Sequence, residues 1–253
     1  MKIGIIGAGQ IGGTLVRHYT KAGHHVKMTN SSGIEKLKSL AEETGALAVT
    51  MKDAVTDVDV VVIAIPQIAV VKLPKDLFKA AATNTTVIDT GNYYPLRDGR
   101  IDDIENGMPE SVWVANQIQW PVIKAYNSIL SGSLVGSGLP KGTPGRIALP
   151  IAGDNKQSKE LVAALINDSG YDSLDYGIIQ DSWKQQPGSP VYCTDLTLPQ
   201  LKRSLENVKR ELLPARRDLG LSFIMKHDMS QWKVWWKDFA VHFRKIYQSV
   251  LDV

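Results

Sequence analysis

Short apolar runs alternate with amphipathic segments along the first third of the chain. The run Lys2–Ile6 predicts a strand, the periodic segment after it predicts a helix, and His25–Thr29 predicts a second strand. Residues 59–66 form a continuous β-branched run that stops at a proline, a pattern typical of a parallel strand buried on both faces. This order predicts a βαβ unit beside a central fourth strand, and therefore a doubly wound α/β sheet.

The same alternation continues to about residue 180. The predicted elements are short helices at 34–44 and 51–55, strands at 87–90, 112–114, 121–126 and 146–153, a helix at 156–169 and an edge strand at 171–176. Residues 96–110 lack periodicity and residues 131–145 are rich in glycine, so both are predicted to be loops, the second one flexible. Residues 1–180 are therefore predicted to form a Rossmann-type domain with a mostly parallel sheet.

Residues 181–253 are predicted to form a helical C-terminal extension. Thr197 and Gln200 have the spacing of a capping box, which predicts a helix start. Farther on, apolar residues recur at steps of three and four, which predicts a strongly amphipathic helix. These apolar positions are Trp232, Trp235, Trp236, Phe239, Phe243, Ile246, Tyr247 and Val250. The polar face is basic, so contact with a membrane surface is an alternative. Docking on the core or on a second subunit is simpler, and we expect a homo-oligomer.

The first strand runs into a glycine-rich turn, Gly-x-Gly-x-x-Gly, that opens the first helix. In this context the first glycine permits the turn, the second lets a pyrophosphate approach, and the third allows close helix packing. The helix N-terminus then faces the diphosphate with free N–H groups. The predicted cofactor contacts are Gly7, Ala8, Gly9, Gln10, Ile11 and Gly12. A glycine-rich turn without a ligand is the alternative.

The end of the second strand bears on the choice of cofactor. NAD-specific folds carry a carboxylate there, which would repel a 2′-phosphate. This chain has Asn30, Ser31 and Ser32 instead, whose short polar side chains favour NADP(H) over NAD(H). An arginine is missing from this loop, and Lys27 and Lys36 are possible substitutes.

Further candidates follow the predicted central strands, where open α/β sheets bind their ligands. Ala64, Ile65 and Pro66 are predicted to line the nicotinamide side, although Pro66 alone could simply end the strand. Asn92 is a candidate hydrogen-bonding residue and Tyr94 a candidate wall, unless they only form a turn. The last candidates form a possible lid over the cleft, because they flank a turn-rich link at residues 185–190. They are Trp183, Tyr192 and Cys193.

Composition excludes several classes of function. The net charge of +3 is small and dispersed, which argues against nucleic-acid binding. The lone cysteine forbids an internal disulfide, the longest apolar run is too short to span a bilayer, and no signal peptide is recognisable, so we expect a cytoplasmic protein. No cluster of metal ligands and no activated nucleophile stands out. The bound dinucleotide would therefore carry the reactivity.

Several of these segments resemble the coenzyme F420-dependent NADP oxidoreductases. They are the glycine motif from Gly4, the loop from Asn30 to Gly33, the strand end from Ala64 to Pro66, and residues 122–129. The dinucleotide domain of the STEAP metalloreductases is similar. The resemblance covers about residues 1–180 and implies that Asn127 and Ser128 lie beside a flavin or deazaflavin. Bacterial relatives often have arginine where this chain has Ser32, and the C-terminal extension exceeds the compact deazaflavin enzymes.

Three functions fit these observations. The first is an NADP(H)-dependent oxidoreductase that passes hydride to or from a flavin, deazaflavin (F420) or similar small acceptor. The second is a hydroxyacid or imine-type dehydrogenase, for which Lys202 and Lys209 are weak candidate proton donors. The third is a redox sensor that binds NADP(H) without turnover and offers its C-terminal helix to a partner.

Overall fold

An eight-stranded sheet organises the molecule. The computed structural model describes residues 1–226 and 232–248, and within residues 232–237 and at 248 only the backbone. The strands are β1 (Lys2–Ile6), β2 (His25–Thr29), β3 (Leu47–Ala48), β4 (Val60–Ile63), β5 (Thr86–Asp89), β6 (Val122–Lys124), β7 (Ala148–Ala152) and β8 (Asp172–Gly177). Their spatial order is β3-β2-β1-β4-β5-β6-β7-β8. Neighbours are parallel except for β6 and β7, which are antiparallel. The predicted Rossmann-type sheet is confirmed.

Helices cover both faces of the sheet and continue into the C-terminal region. The α-helices are α1 (Gln10–Lys21), α2 (Lys38–Thr44), α3 (Met51–Val55), α4 (Gln67–Val70), α5 (Pro95–Asp98), α6 (Asp102–Glu105), α7 (Glu110–Ile118), α8 (Ser131–Gly136), α9 (Lys156–Asp168), α10 (Leu198–Glu206), α11 (Leu213–Met225) and α12 (Trp232–Gln248). Short 3-10 helices lie at Ile34–Leu37, Leu77–Ala80, Ile179–Gln185 and Arg210–Leu212.

The central strands divide their side chains between two apolar layers. Val60 and Val62 of β4 join a cluster on one face of the sheet, whereas Val61 and Ile63 join a second cluster on the other. Because neighbouring strand residues point to opposite faces, a strand covered on both sides must be apolar throughout. The uninterrupted β-branched run is therefore explained by helices on both faces.

The strand order reverses at β1. Its neighbours are β2 and β4, so the connections after β1 and β4 leave the sheet in opposite directions. In open α/β sheets this reversal opens a crevice at the carboxyl ends of the strands. The glycine turn after β1 and the segment after β4 therefore lie beside each other, as predicted.

Three predicted segments were wrong in type. Residues 112–114, predicted as a strand, lie within α7, because Trp113, Val114 and Ile118 form the buried side of a helix on the sheet. The predicted loop at 96–110 contains α5 and α6. The predicted flexible loop at 131–145 begins with α8, whose Leu134 is fully buried and whose carbonyl accepts a hydrogen bond from the His18 ring, 2.8 Å away. Such tertiary contacts outweigh the low helix propensity of glycine.

The C-terminal helices pack on the rest of the chain. The capping box of α10 is present, with Gln200 accepting from the Thr197 backbone at 2.9 Å. Phe239, Phe243 and Tyr247 of α12 are buried and belong to one cluster with Cys193. Docking on the core is thus observed for this half of the helix. The side chains of Trp232, Trp235 and Trp236, and Val250 as a whole, lie outside the described residues.

Two further predictions concern the extent and environment of the chain. The division near residue 180 stays a prediction, since Ala148 of β7 shares an apolar cluster with Leu201 of α10. Among the residues described, no helix combines the length and hydropathy needed to cross a membrane.

Candidate functional site

The glycine turn after β1 is held by close backbone contacts. Gly7 has a φ of +98° and donates its N–H to the Thr29 carbonyl at 2.8 Å. A Cβ at Gly7 would lie 2.4 Å from the Ala64 carbonyl oxygen, and a Cβ at Gly12 would lie 1.8 Å from the Gly7 oxygen. Both glycines are therefore required by the packing of β1, α1 and the end of β4.

Gly9 differs from these two glycines. Its φ is −75°, which suits any residue, and a Cβ placed there would meet no protein atom within 4 Å. Neither the backbone nor a neighbour demands glycine at this position. The open space lies at the N-terminus of the twelve-residue helix α1, whose first turn carries no acidic residue. This cradle fits the pyrophosphate of a dinucleotide, held by N–H groups.

The loop after β2 presents short polar groups and no carboxylate. Asn30 accepts the Ser32 N–H through Oδ1 at 3.1 Å, and the side chains of Ser31 and Ser32 are exposed. Lys27 donates instead to the Thr56 carbonyl at 2.8 Å, so its ammonium is engaged outside this loop. A 2′-phosphate at this position would therefore rely on Asn30, the two serines and nearby N–H groups.

A cleft of about 470 Å³ opens at the carboxyl ends of β1, β4, β5 and β6. Its lining is Gln10, Ile11, Ala64, Ile65, Pro66, Thr90, Gly91, Asn92, Tyr94, Arg97, Tyr126, Asn127, Ile129, Leu130, Ser131, Tyr192 and Cys193. Of the residues predicted for the site, this lining includes Gln10, Ile11, Ala64, Ile65, Pro66, Asn92, Tyr94, Asn127, Tyr192 and Cys193. Ser128 is not part of this lining, and its buried Oγ has no partner among the described residues. Lys202 and Lys209 are exposed outside it.

Three amide side chains link the ends of β5 and β6 to the C-terminal region. Asn127 Nδ2 donates to Asn92 Oδ1 at 3.0 Å and to the Gln185 carbonyl at 2.8 Å, while Asn127 Oδ1 accepts from Gln185 Nε2 at 2.5 Å. Asn92 Nδ2 in turn donates to the Asn127 carbonyl at 3.0 Å. Both Asn127 N–H groups are therefore used within the chain. Asn127 thus holds the side chain of Asn92, which is the more exposed of the two and can face a ligand.

Tyr192 and Cys193, two of the three residues of the predicted lid, line the cleft, and the lid itself stays a prediction. The Tyr192 and Tyr94 hydroxyl oxygens are 2.7 Å apart, and burial raises the pKa of both phenols. Burial also raises the pKa of the Cys193 thiol, whose residue has a φ of +55° and donates its N–H to the Ser128 carbonyl at 2.8 Å. Trp183 lies elsewhere, with the Arg210 guanidinium 5.2 Å from its ring centroid.

A buried charged cluster below the cleft was missed by sequence reasoning. Lys124 Nζ donates to the Gly91 carbonyl at 2.5 Å and to Asp89 Oδ2 at 3.2 Å, and it lies 3.6 Å from Glu110 Oε2. Ser111 also donates to Asp89 Oδ2, at 2.6 Å. Burial raises the pKa of Glu110 to about 7, an effect opposed by the Lys124 charge. The sequence held one sign of this cluster, which is the presence of Lys124 in an otherwise apolar strand.

Comparison with known proteins identifies the segment that carries the glycine turn. Residues 2–93 match the model of a family described as NADP oxidoreductase, coenzyme F420-dependent. This segment belongs to that family. YjhV of Escherichia coli (strain K12) is 38% identical over 72 residues, which are 28% of this chain and 53% of YjhV. The chain therefore matches about half of the length of that relative.

Solved structures extend the similarity beyond residue 93. Protein SMa0349 of Sinorhizobium meliloti shares 26% identity at a TM-score of 0.67, over 78% of this chain and 95% of that one. A candidate F420-dependent NADP reductase of Arthrobacter sp. FB24 is 17% identical at 0.60, over 88% and 94%. A 3-hydroxyisobutyrate dehydrogenase of Mycobacterium tuberculosis is 16% identical at 0.53, over 70% and 54%. At these lower identities the last two share the fold.

Proposed function

We propose that this protein is an NADP(H)-dependent oxidoreductase that transfers hydride between the nicotinamide and a flavin, deazaflavin or similar planar acceptor. The observation that carries this proposal is the lining of the cleft. It extends from the open cradle at Gly9 along a wall whose groups, Arg97 apart, are apolar, aromatic or neutral polar. The described lining residues include no Asp, Glu, His or Lys, and burial raises the pKa of each phenol and thiol among them, Tyr94, Tyr126, Tyr192 and Cys193, so none is a strong general acid. Reduction of a carbonyl substrate needs such a proton donor. Reduction of a flavin-like ring needs mainly that the ring be oriented against the nicotinamide and that water be excluded.

The chain's own residues would bind and orient the two ligands. Residues 7–12 would hold the pyrophosphate, Asn30, Ser31 and Ser32 the 2′-phosphate, and Ala64, Ile65 and Pro66 the nicotinamide side. NADP(H), when bound, supplies or accepts the hydride. Asn92, positioned by Asn127, would hydrogen-bond the acceptor, and Tyr192 with Cys193 would keep water out.

The family of the N-terminal segment supports the choice of cofactor. That family is described as NADP- and F420-dependent, and the loop after β2 lacks the carboxylate that would disfavour NADP(H). We propose NADP(H) over NAD(H), with F420 or a flavin as co-substrate. A homo-oligomer through α12 also stays a proposal. Because Phe239, Phe243 and Tyr247 face their own chain, such an interface would use other positions of that helix.

The test is steady-state oxidation of NADPH with F420, FMN, FAD and a ferric chelate as separate acceptors, with NADH run beside NADPH. Binding of NADPH is measured separately by the change in its fluorescence. We expect tight NADPH binding and turnover with a flavin-like acceptor. NADPH binding without turnover of any of these acceptors would contradict the proposal and favour a carbonyl substrate or a redox sensor.

A further inference from the structure

Arg97 stands apart from the other residues that line the cleft. It is the only one among the described lining residues with a formal charge, and 45% of its side chain is exposed. The remaining lining residues are apolar, aromatic or neutral polar. The partner of Arg97, Asp98, is fully buried and lies outside this lining, so the guanidinium is the charge that a ligand in the cleft would meet.

The guanidinium of Arg97 is fixed by its surroundings. Its Nε and Nη2 donate to the two carboxylate oxygens of Asp98 at 3.1 and 2.8 Å, and Nη2 also donates to the Asn92 carbonyl. The guanidinium carbon lies 5.4 Å from the Tyr94 ring centroid, within the range of a cation–π contact. Arg97 is therefore oriented before any ligand arrives, which lowers the entropic cost of binding.

The Asp98 carboxylate accepts hydrogen bonds from backbone N–H groups as well as from Arg97. Its side chain is fully buried and also accepts the Tyr94 N–H at 3.0 Å and the Ile68 N–H at 3.4 Å. Arg97 in turn keeps its Nη1 group, which makes no hydrogen bond among the described residues. The two Nη1 hydrogens remain for an oxyanion, the group that arginine binds best.

The position of Arg97 separates it from the predicted cofactor phosphates. Those phosphates are expected after β1 and β2, whereas Arg97 follows β5. In the sheet β5 lies two strands from β1 and three from β2, so at roughly 4.8 Å per strand the ends of these strands are about 10 to 14 Å apart. An anion at Arg97 would therefore belong to the second ligand.

We propose that the acceptor carries a carboxylate or phosphate group and that Arg97 binds it on the β5 side of the cleft. This inference rests on the proposed function, because it takes the second ligand to be the hydride acceptor. Arg97 would then be a specificity-determining residue that places the acceptor ring beside Asn92. The neutral remainder of the cleft would accept the ring itself.

The test uses FMN and riboflavin, which share one ring and differ by a phosphate. Binding to the NADP⁺-saturated protein is followed by quenching of flavin fluorescence. We expect FMN to bind at least about tenfold more tightly than riboflavin, because one charge-assisted pair is worth at least about that much. In Arg97→Gln the preference should fall to about twofold or less, while Arg97→Lys, which keeps the charge but loses the paired donors, should be intermediate.

Arg100→Gln is the matched control, because Arg100 is exposed, pairs with Asp102 and lies outside the cleft lining. It should keep the preference for FMN. Unchanged NADPH affinity in each variant shows that the fold is retained. Equal binding of the two flavins, no binding of either, or an equal loss of both in Arg97→Gln would overturn the inference. Turnover without a preference refutes only the role of Arg97, and a preference without turnover refutes only the proposed reaction.

Discussion

Lys124 and Asp89 form an ion pair across adjacent strands, with Nζ and Oδ2 3.2 Å apart and side chains 0% and 1% exposed. They end β6 and β5, directly below the cleft. The same ammonium donates to the Gly91 carbonyl, so it also fixes the segment that leads to Asn92. A buried charge with this many partners is costly to leave unpaired.

Replacing Lys124 should therefore destabilise the protein strongly. Lys124→Met leaves the Asp89 and Glu110 carboxyl groups buried without a counter-charge, and losing one partner of such a pair costs about 3–5 kcal/mol. The free energy of unfolding, measured with urea at neutral pH, checks this. Lys2→Met is the control, since Lys2 and its partner Asp57 are both exposed, and it should change stability little. A similar small loss in both variants would show that the buried cluster contributes no net stability.

Glu110 should make stability depend on pH. Its pKa is about 7 in the folded protein against 4.5 for the ordinary carboxyl group, so folding favours the protonated form. The folded state then binds the extra proton between about pH 4.5 and 7. Stability from this group is fully present below pH 4.5 and is lost as the pH rises to 7, by about 3 kcal/mol.

Urea unfolding of wild type and Glu110→Gln between pH 5 and 8 measures this effect. As the pH rises through this range, the free energy of unfolding of the wild type should fall relative to that of Glu110→Gln. Glu206→Gln, an exposed substitution on α10, should follow the wild-type curve at every pH. Parallel curves for wild type and Glu110→Gln would contradict the raised pKa of Glu110.

Gly9 and Gly12 should separate ligand binding from folding. A Cβ at Gly9 meets no protein atom within 4 Å, so Gly9→Ala should leave the melting temperature unchanged but weaken NADPH binding by about tenfold or more. A Cβ at Gly12 lies 1.8 Å from the Gly7 oxygen, so Gly12→Ala should lower the melting temperature as well. Calorimetry and NADPH titration measure the two effects. An unchanged NADPH affinity in Gly9→Ala would contradict the proposal that the pyrophosphate binds at Gly9.

Sequence patterns predicted most of the sheet because its central strands are buried on both faces. The runs at 59–66 and 146–153 leave few alternatives to a covered parallel-type strand. The triplet at 112–114 was too short to distinguish a strand from the buried side of a helix, and it lies in α7. The helix α8 is glycine-rich and forms through contacts such as the Tyr171 hydroxyl donating to the Ser133 carbonyl at 2.7 Å. Such contacts join residues far apart in the chain.

Some residues of the candidate site could be predicted from the sequence and others could not. Residues 7–12 follow from one local motif and could be predicted from it. The partners of Lys124 lie 35 and 14 residues away, and Arg97 lies in a segment without periodicity. Only the folded chain shows that Arg97 is oriented by Asp98 and Tyr94 beside the cleft.

The loop after β2 should set the choice between NADPH and NADH. Ser32→Arg adds a guanidinium beside the expected 2′-phosphate and should raise the preference for NADPH by about tenfold. Asn30→Asp adds a carboxylate that accepts from a free 2′-hydroxyl and should shift the preference towards NADH. Dissociation constants for both nucleotides measure the change. The two variants control each other, because they should shift the preference in opposite directions. A shift of the preference in the same direction in both would contradict the proposal that this loop binds the 2′-phosphate.

Cys193 should report how firmly α12 packs against the segment that lines the cleft. Its thiol is 4% exposed and belongs to one apolar cluster with Phe243 and Tyr247, whose rings stack at 5.2 Å. Burial raises the pKa of this thiol, so the native protein should react slowly with a thiol reagent. Phe243→Ala opens a cavity that costs about 3–5 kcal/mol, and faster local opening should raise the labelling rate by at least about tenfold.

Val241→Ala is the control for this measurement, because Val241 lies on the same helix and is 51% exposed. It should leave the labelling rate unchanged. Labelling is followed with NADPH absent and then at saturation. Because NADPH is proposed to bind in the cleft that Cys193 lines, it should slow labelling in the wild type. Equal labelling of Phe243→Ala and wild type would mean that access to the thiol does not depend on α12.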